Sequence, residues 1–311
     1  MKQGRFININ FWVFIAILLI ICLFSFPKVV KSWYNEELNA TWLAQFEESK
    51  VPVDVTPDPK PLPNEDEPST EVTWIWTDFQ GNQNKIITKV KNTYLESAKK
   101  NRTHSGVNNL DELYGVLFRH DKTLLQGFIG QLKNKMSQRN MGYIESIEYV
   151  CSAVQSINYT LVLGEGGYED ANGRIVKCPC EITFTPGAPP ERFIDRCDSK
   201  IENGCCNDVV GGLFSPFEFF YSKTGDCDTR AVFAYTVLKD LGFDVAVMVS
   251  NDQGHSVLGI HLPDSESSGR VYGTDRNGKA YSLYELTMKG WRFNSSYYGD
   301  VAGNDWYVAL N

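Results

Sequence analysis

The run Thr224-Gly225-Asp226-Cys227-Asp228-Thr229-Arg230-Ala231 sets a cysteine on the first turn of a helix, directly after a glycine-containing turn. From Cys227 the apolar positions recur at Ala231, Ala234, Leu238 and Leu241, one face of a helix, and Gly242 stands where a left-handed C-terminal cap belongs. Asp226 is the candidate N-cap. A thiol there feels the positive end of the helix dipole and unpaired backbone N–H groups, which lower its pKa from about 8.5 and can also hold an oxyanion. A small buried core thiol is the other use of such a position. Residues 243–249 then read as a buried strand, 251–254 as a turn and 255–261 as a second strand, a hairpin. A helix followed by these two strands can return the His255 imidazole to Cys227, and a thiol nucleophile needs such a base.

A third strand is expected over residues 280–287, after Asp275-Arg276-Asn277-Gly278-Lys279, whose Asn-Gly pair favours a hairpin turn. Glu285 shares a face with Tyr281 and Leu283, where a carboxylate needs a partner, and His255 would be that partner. An exposed edge-strand glutamate is the alternative use, and Asp275 is the competing acid. Phe214, Phe217, Phe219, Phe220 and Tyr221 crowd in just before the nucleophile turn, a pattern that serves core packing or a substrate groove.

Gly225-x-Cys227-Asp228 with Ala231 and the run LKDLGFDV, then Gly254-His255, then Tyr284-Glu285-Leu286-Thr287 before Gly290-Trp291, resembles the transglutaminase-like superfamily of papain-type cysteine enzymes. The likeness is strongest over residues 221–291. The segment VQSINYTLV further upstream is similar to bacterial membrane-anchored members. The resemblance implies an α+β fold, with a helical N-terminal half whose nucleophile helix packs on an antiparallel sheet. It assigns Cys227 as nucleophile, His255 as base and Glu285 as the third residue; no cofactor and no metal is expected. Two departures stand out: Glu285 occupies a position more often held by Asp, and Ser256-Val257 follows His255 where an aromatic residue often stands. Gln155, Tyr159 and Tyr221 are candidate oxyanion or pocket residues from their nearness in sequence and in the resemblance.

Residues 11–26, FWVFIAILLIICLFSF, form an apolar run between Lys2 and Arg5 on one side and Lys28 on the other. A transmembrane signal anchor over 11–30 is expected, with residues 1–10 in the cytoplasm; a cleaved signal peptide is the alternative. Residues 31–73 read as a juxtamembrane segment and an acidic spacer, with six prolines between 51 and 73. A single domain over 74–311 follows, opening with a short strand near Trp74-Ile75-Trp76; helices are suggested around 110–117, 124–132 and 144–157.

Five of the eight cysteines, Cys178, Cys180, Cys197, Cys205 and Cys206, fall within an insertion over 178–206. Cys178-Pro179-Cys180 and the vicinal Cys205-Cys206 pair lie outside the roughly two-to-four residue spacing of zinc ligands, so disulfides are favoured over a metal. Cys151 is either the sixth partner or a core residue. Disulfides would place the domain outside the cytoplasm, in the periplasm or at the cell surface. The formal net charge of −8, from 30 basic against 38 acidic residues, argues against a nucleic-acid partner. Gly164-Glu165-Gly166-Gly167 lacks the lysine and strand-to-helix setting of a phosphate loop. Three function classes follow: a membrane-anchored cysteine protease, amidase or transglutaminase acting on peptide or protein amides; a silent binding module of the same fold; and a redox or zinc-binding domain carried by the cysteine cluster.

Overall fold

In Gln83–Lys91 the alternate residues Asn84, Ile86, Thr88 and Val90 are buried, the period of a strand with one packed face and one wet face. This strand, β2, pairs antiparallel with β1, Ser69–Thr77, from Ser69 opposite Lys91 to Thr77 opposite Gln83. The computed structural model describes residues 67–107, 109–164, 209–262, 273–293 and 306–311, and the backbone of three two-residue strands between 168 and 206. The expected anchor at 11–30, the spacer up to residue 66, and Cys178, Cys180 and Cys197 lie outside the described residues. Among the described residues no helix is long and apolar enough to cross a membrane.

Strand β1 starts earlier than composition suggests. Ser69 to Thr73 were expected to belong to the spacer, yet they form the first half of β1, because Val72, Trp74 and Trp76 alternate inward and need the whole ladder with β2 to be buried. Helices α1 (Asn92–Thr103), α2 (Leu110–Leu124), α3 (Gln126–Gln138) and α4 (Tyr143–Gln155) follow. The Asn109 side chain caps α2 by accepting the Glu112 N–H at 2.8 Å. After α4 come β3 (Leu161–Val162), β4 (Tyr168–Glu169), β5 (Ile175–Val176) and β6 (Cys205–Cys206); β6 pairs in parallel with β3. Helix α5 (Pro216–Ser222) opens on a capping box: Ser215 Oγ accepts the Glu218 N–H and Glu218 Oε2 accepts the Ser215 N–H.

Helix α6, Cys227–Asp240, is followed by β7 (Val245–Ser250), β8 (His255–Ile260), β9 (Gly273–Thr274), β10 (Ala280–Tyr284) and β11 (Trp306–Leu310). The five strands make one antiparallel sheet in the order β11-β7-β8-β10-β9. Gly242 closes α6 at φ 90°, the left-handed cap, and the Asn277-Gly278 turn joins β9 to β10. The fold is thus mixed, of helices and an antiparallel sheet, α+β.

One apolar stripe was expected on α6, but it is buried nearly all round, from Thr229 to Leu238, because β7, β8, α2 and α5 all pack on it. The aromatic run before it is core: Phe217, Phe219 and Phe220 are fully buried. Trp74 of β1 stacks on Phe220 and Phe233 and donates its indole N–H to the Phe220 carbonyl at 3.0 Å, which ties β1 to α5 and α6.

Candidate active site

The turn before α6 is built on a close approach. A Cβ at Gly225 would stand 2.4 Å from Thr229 Cγ2 and 2.9 Å from Phe219 Cδ2, so only glycine fits. Asp226 then caps the helix: Oδ1 accepts the Thr229 N–H at 3.3 Å and its hydroxyl at 3.0 Å, while Oδ2 accepts the Val162 N–H at 3.2 Å. Cys227 is the first residue of α6 and is 8% exposed.

His255 opens β8, opposite Ser250 of β7, and its Nε2 lies 2.9 Å from Glu285 Oε2. The other carboxylate oxygen of Glu285 accepts the Leu286 N–H at 2.8 Å, the Thr287 N–H at 2.7 Å and the Thr287 hydroxyl at 2.6 Å. Burial would raise the Glu285 carboxyl, but the charge of His255 and these hydrogen bonds bring it down to about 2. Burial likewise opposes the imidazolium, yet Glu285 and Cys227 hold His255 well above its ordinary value. The Trp306 ring meets the imidazole edge-on, with centroids 6.3 Å apart. Nδ1 of His255 is buried without a hydrogen-bond partner. The ring is therefore turned with Nε2 on Glu285 and Nδ1 left for the thiol, the group that supports its charge next after Glu285.

The thiol itself departs from the expectation of a lowered pKa. Burial first, then the Asp228 carboxylate, push Cys227 up to about 11, with His255 pulling the other way. Asp228 Oδ1 is 3.7 Å from the Cys227 Sγ. Position at a helix start is legible in sequence; desolvation of that helix start is not.

Glu285 rather than Asp275 reaches the imidazole: Asp275 accepts the N–H groups of Asn277 and Lys279 inside its own turn and the Asn311 side chain. Gln155 was a candidate oxyanion or pocket residue, but its amide is engaged at both ends. Nε2 donates to the Glu285 carbonyl (2.8 Å) and the Trp291 carbonyl (2.9 Å), and Oε1 accepts the Gly290 N–H (3.0 Å). It fastens the loop that carries the acid instead. Tyr159 is buried, lies under the Arg230 guanidinium at 5.4 Å, and has its hydroxyl pKa raised well up by burial and then by the charge of Cys227. Tyr221 is half-buried near the end of α5, and no described hydrogen bond or ring contact links it to the trio.

Cys151, a candidate disulfide partner, is a free, fully buried thiol on α4, because its helix face points into packed core. Among the described residues no group of His, Cys, Asp and Glu side chains is arranged to hold a metal ion.

Arg230 escaped the sequence reading. Fully buried on α6, it donates to the carbonyls of Gly225 (3.2 Å), Val154 (3.4 Å), Leu286 (3.1 Å) and Ile157 (2.8 Å). One side chain thus ties the turn before Cys227 to the residue after Glu285 and to the end of α4. Its only sequence signal is a charge set on a helix whose other neighbours are buried.

Comparison of the chain with family models, curated proteins and solved structures finds no match.

Proposed function

We propose that this protein is a thiol-dependent acyl-transfer enzyme of the transglutaminase-like kind, attacking peptide or protein amides through Cys227, and that residues 11–30 anchor it with the catalytic domain outside the cytoplasm. The observation that carries the reading is the buried chain from Glu285 Oε2 to His255 Nε2 at 2.9 Å, with Nδ1 unpartnered and Cys227 acting on the same ring. A nucleophile, a base and a group that orients the base is the arrangement covalent catalysis requires. As the Sγ–C bond forms and the C–N bond breaks, His255 gives its proton to the departing amine. Water then gives a proton back to His255 and attacks the thioester, and the thiolate leaves; a second amine in place of water makes the reaction a transamidation. The backbone N–H groups at the start of α6 are the candidate oxyanion donors.

The test is iodoacetamide alkylation of the full-length protein across pH, with the labelled site assigned by mass spectrometry. Near pH 7, Cys227 is expected to label at least about tenfold faster than in His255→Ala, one pKa unit of thiolate stabilisation. Equal rates would overturn the Cys–His pair. A second reading, a silent binding module, is favoured by one observation: burial and Asp228 hold the proton on the thiol.

A further inference from the structure

We propose a second nucleophilic site, on α1 and α2 and independent of Cys227: Ser97 takes the acyl group of small esters, with His120 as its base, Asp121 orienting that base and Asn101 as the oxyanion donor.

Ser97 stands in the middle of α1, and its Oγ lies 3.1 Å from Nε2 of His120 on α2. On the other side of the ring, Nδ1 lies 2.6 Å from Asp121 Oδ1. A carboxylate accepts, so in the neutral ring Nδ1 carries the proton and Nε2 accepts the serine hydroxyl. Asp121 is no loose surface charge: it is fully buried, and its Oδ2 accepts the Phe217 N–H of α5 at 2.8 Å. The carboxylate is thus fixed from a second element. Its hydrogen bond raises the His120 pKa above the ordinary value, against the pull of burial, which makes the ring the stronger base.

A second observation comes from the same helix. A nucleophile inside a helix lacks the free backbone donors of a helix start, because the N–H groups around it are spent in the helix itself. A side chain must then hold the oxyanion. Asn101 stands one turn beyond Ser97 on the same face of α1, and its Nδ2 is buried without a hydrogen-bond partner. Helical side chains lean toward the N-terminus of their helix, which carries this amide over the turn of Ser97. Buried donors without partners are rare in folded proteins, and an ester oxygen turning negative at Ser97 would fill this one.

The spot is open where the Cys227 site is sealed. The His120 side chain is 28% exposed and Ser97 is half-buried. A wet site with a single side-chain donor stabilises a developing charge less than a dry one, so esters with good leaving groups fit it and peptide amides do not. Half-buried Tyr94, three residues before Ser97 on that face, favours an apolar acyl chain. Ser97 Oγ bonds to the ester carbonyl carbon as its proton passes to His120 Nε2; the C–O bond then breaks and the alcohol leaves with that proton. Water gives a proton to His120 and attacks the acyl-serine, and the serine oxygen leaves and takes the proton back.

The test uses the full-length protein, treated first with iodoacetamide and then with an alkyl fluorophosphonate, the modified residue being found by mass spectrometry. The Oγ–P bond forms as fluoride leaves, and His120 takes up the serine proton. Ser97 is expected to carry the phosphonate, at least about tenfold faster than in His120→Gln. The iodoacetamide-treated protein is expected to hydrolyse p-nitrophenyl butyrate, and Ser97→Ala or the phosphonate to abolish that turnover. Asn101→Ala is expected to slow acylation about tenfold or more with no change in thermal midpoint. A native protein that takes no phosphonate on Ser97, or an equal Ser97 rate in His120→Gln at an unchanged midpoint, would overturn the proposal. Where His120→Gln lowers the midpoint, Asn101→Ala decides, and an unchanged acylation rate there would overturn it. None of these outcomes bears on Cys227, whose alkylation is read separately in the first step.

Discussion

Arg230 shows how much of this site hangs on one buried cation. Its guanidinium meets four backbone carbonyls and lies over the rings of Tyr159 and Phe219, with no carboxylate hydrogen-bonded to it among the described residues. Desolvation lowers its pKa to about 10, so it remains charged at neutral pH. Arg230→Met would keep the volume and strand those carbonyls in the core. The expected cost is on the order of 3 kcal/mol in urea unfolding, and the displaced Leu286 carbonyl should also slow Cys227 alkylation, because the acid next to it loses its placement. An unchanged unfolding midpoint would show that water or a neighbouring donor replaces the guanidinium.

Among the elements, the start of α6 is the most tightly specified. Gly225, Asp226 and Thr229 form a turn in which the cap, the missing Cβ and the threonine methyl depend on one another. Gly225→Ala is expected to destabilise the protein by about 2 kcal/mol through overpacking against Thr229 and Phe219, visible as a lowered thermal midpoint. This element was legible in sequence because capping residues, the glycine turn and the helical period are all local signals. The hairpin of β7 and β8 and the Asn277-Gly278 turn were legible for the same reason. The β1–β2 ladder was missed at its first half, where Ser69, Thr70 and Glu71 look like spacer and only pairing with Lys89 to Lys91 makes them strand. Helix α1 was missed as well: it opens on Asn92 without a capping side chain and buries few residues, so it has no strong stripe to announce it.

For the molecule as a whole, the pairing of β8 with the loop after β10 carries a pH signature. Glu285 is lowered to about 2 from an ordinary 4.5. A depressed carboxyl contributes stability that is complete above its unfolded value and is lost as pH falls through the folded one, here between about 4.5 and 2. The stability gap between the native protein and Glu285→Gln, measured by urea unfolding at a series of pH values, is therefore expected to be on the order of 3 kcal/mol near neutrality and to close through that acid window. A gap that does not change with pH would show that Glu285 is not ionised against His255. The sequence by itself determined the capped turn before Cys227 and the hairpin that carries His255, because each is written in a local period or a turn pair. Strand parity had favoured Glu285 over Asp275 as the partner of His255, but only the tertiary structure decided that Gln155 is tied up holding the loop, that Cys151 is sealed in the core, and that the Asp228 carboxylate comes within 3.7 Å of a buried thiol. Burial and the company of a charge are set by segments distant along the chain, and no local pattern encodes them.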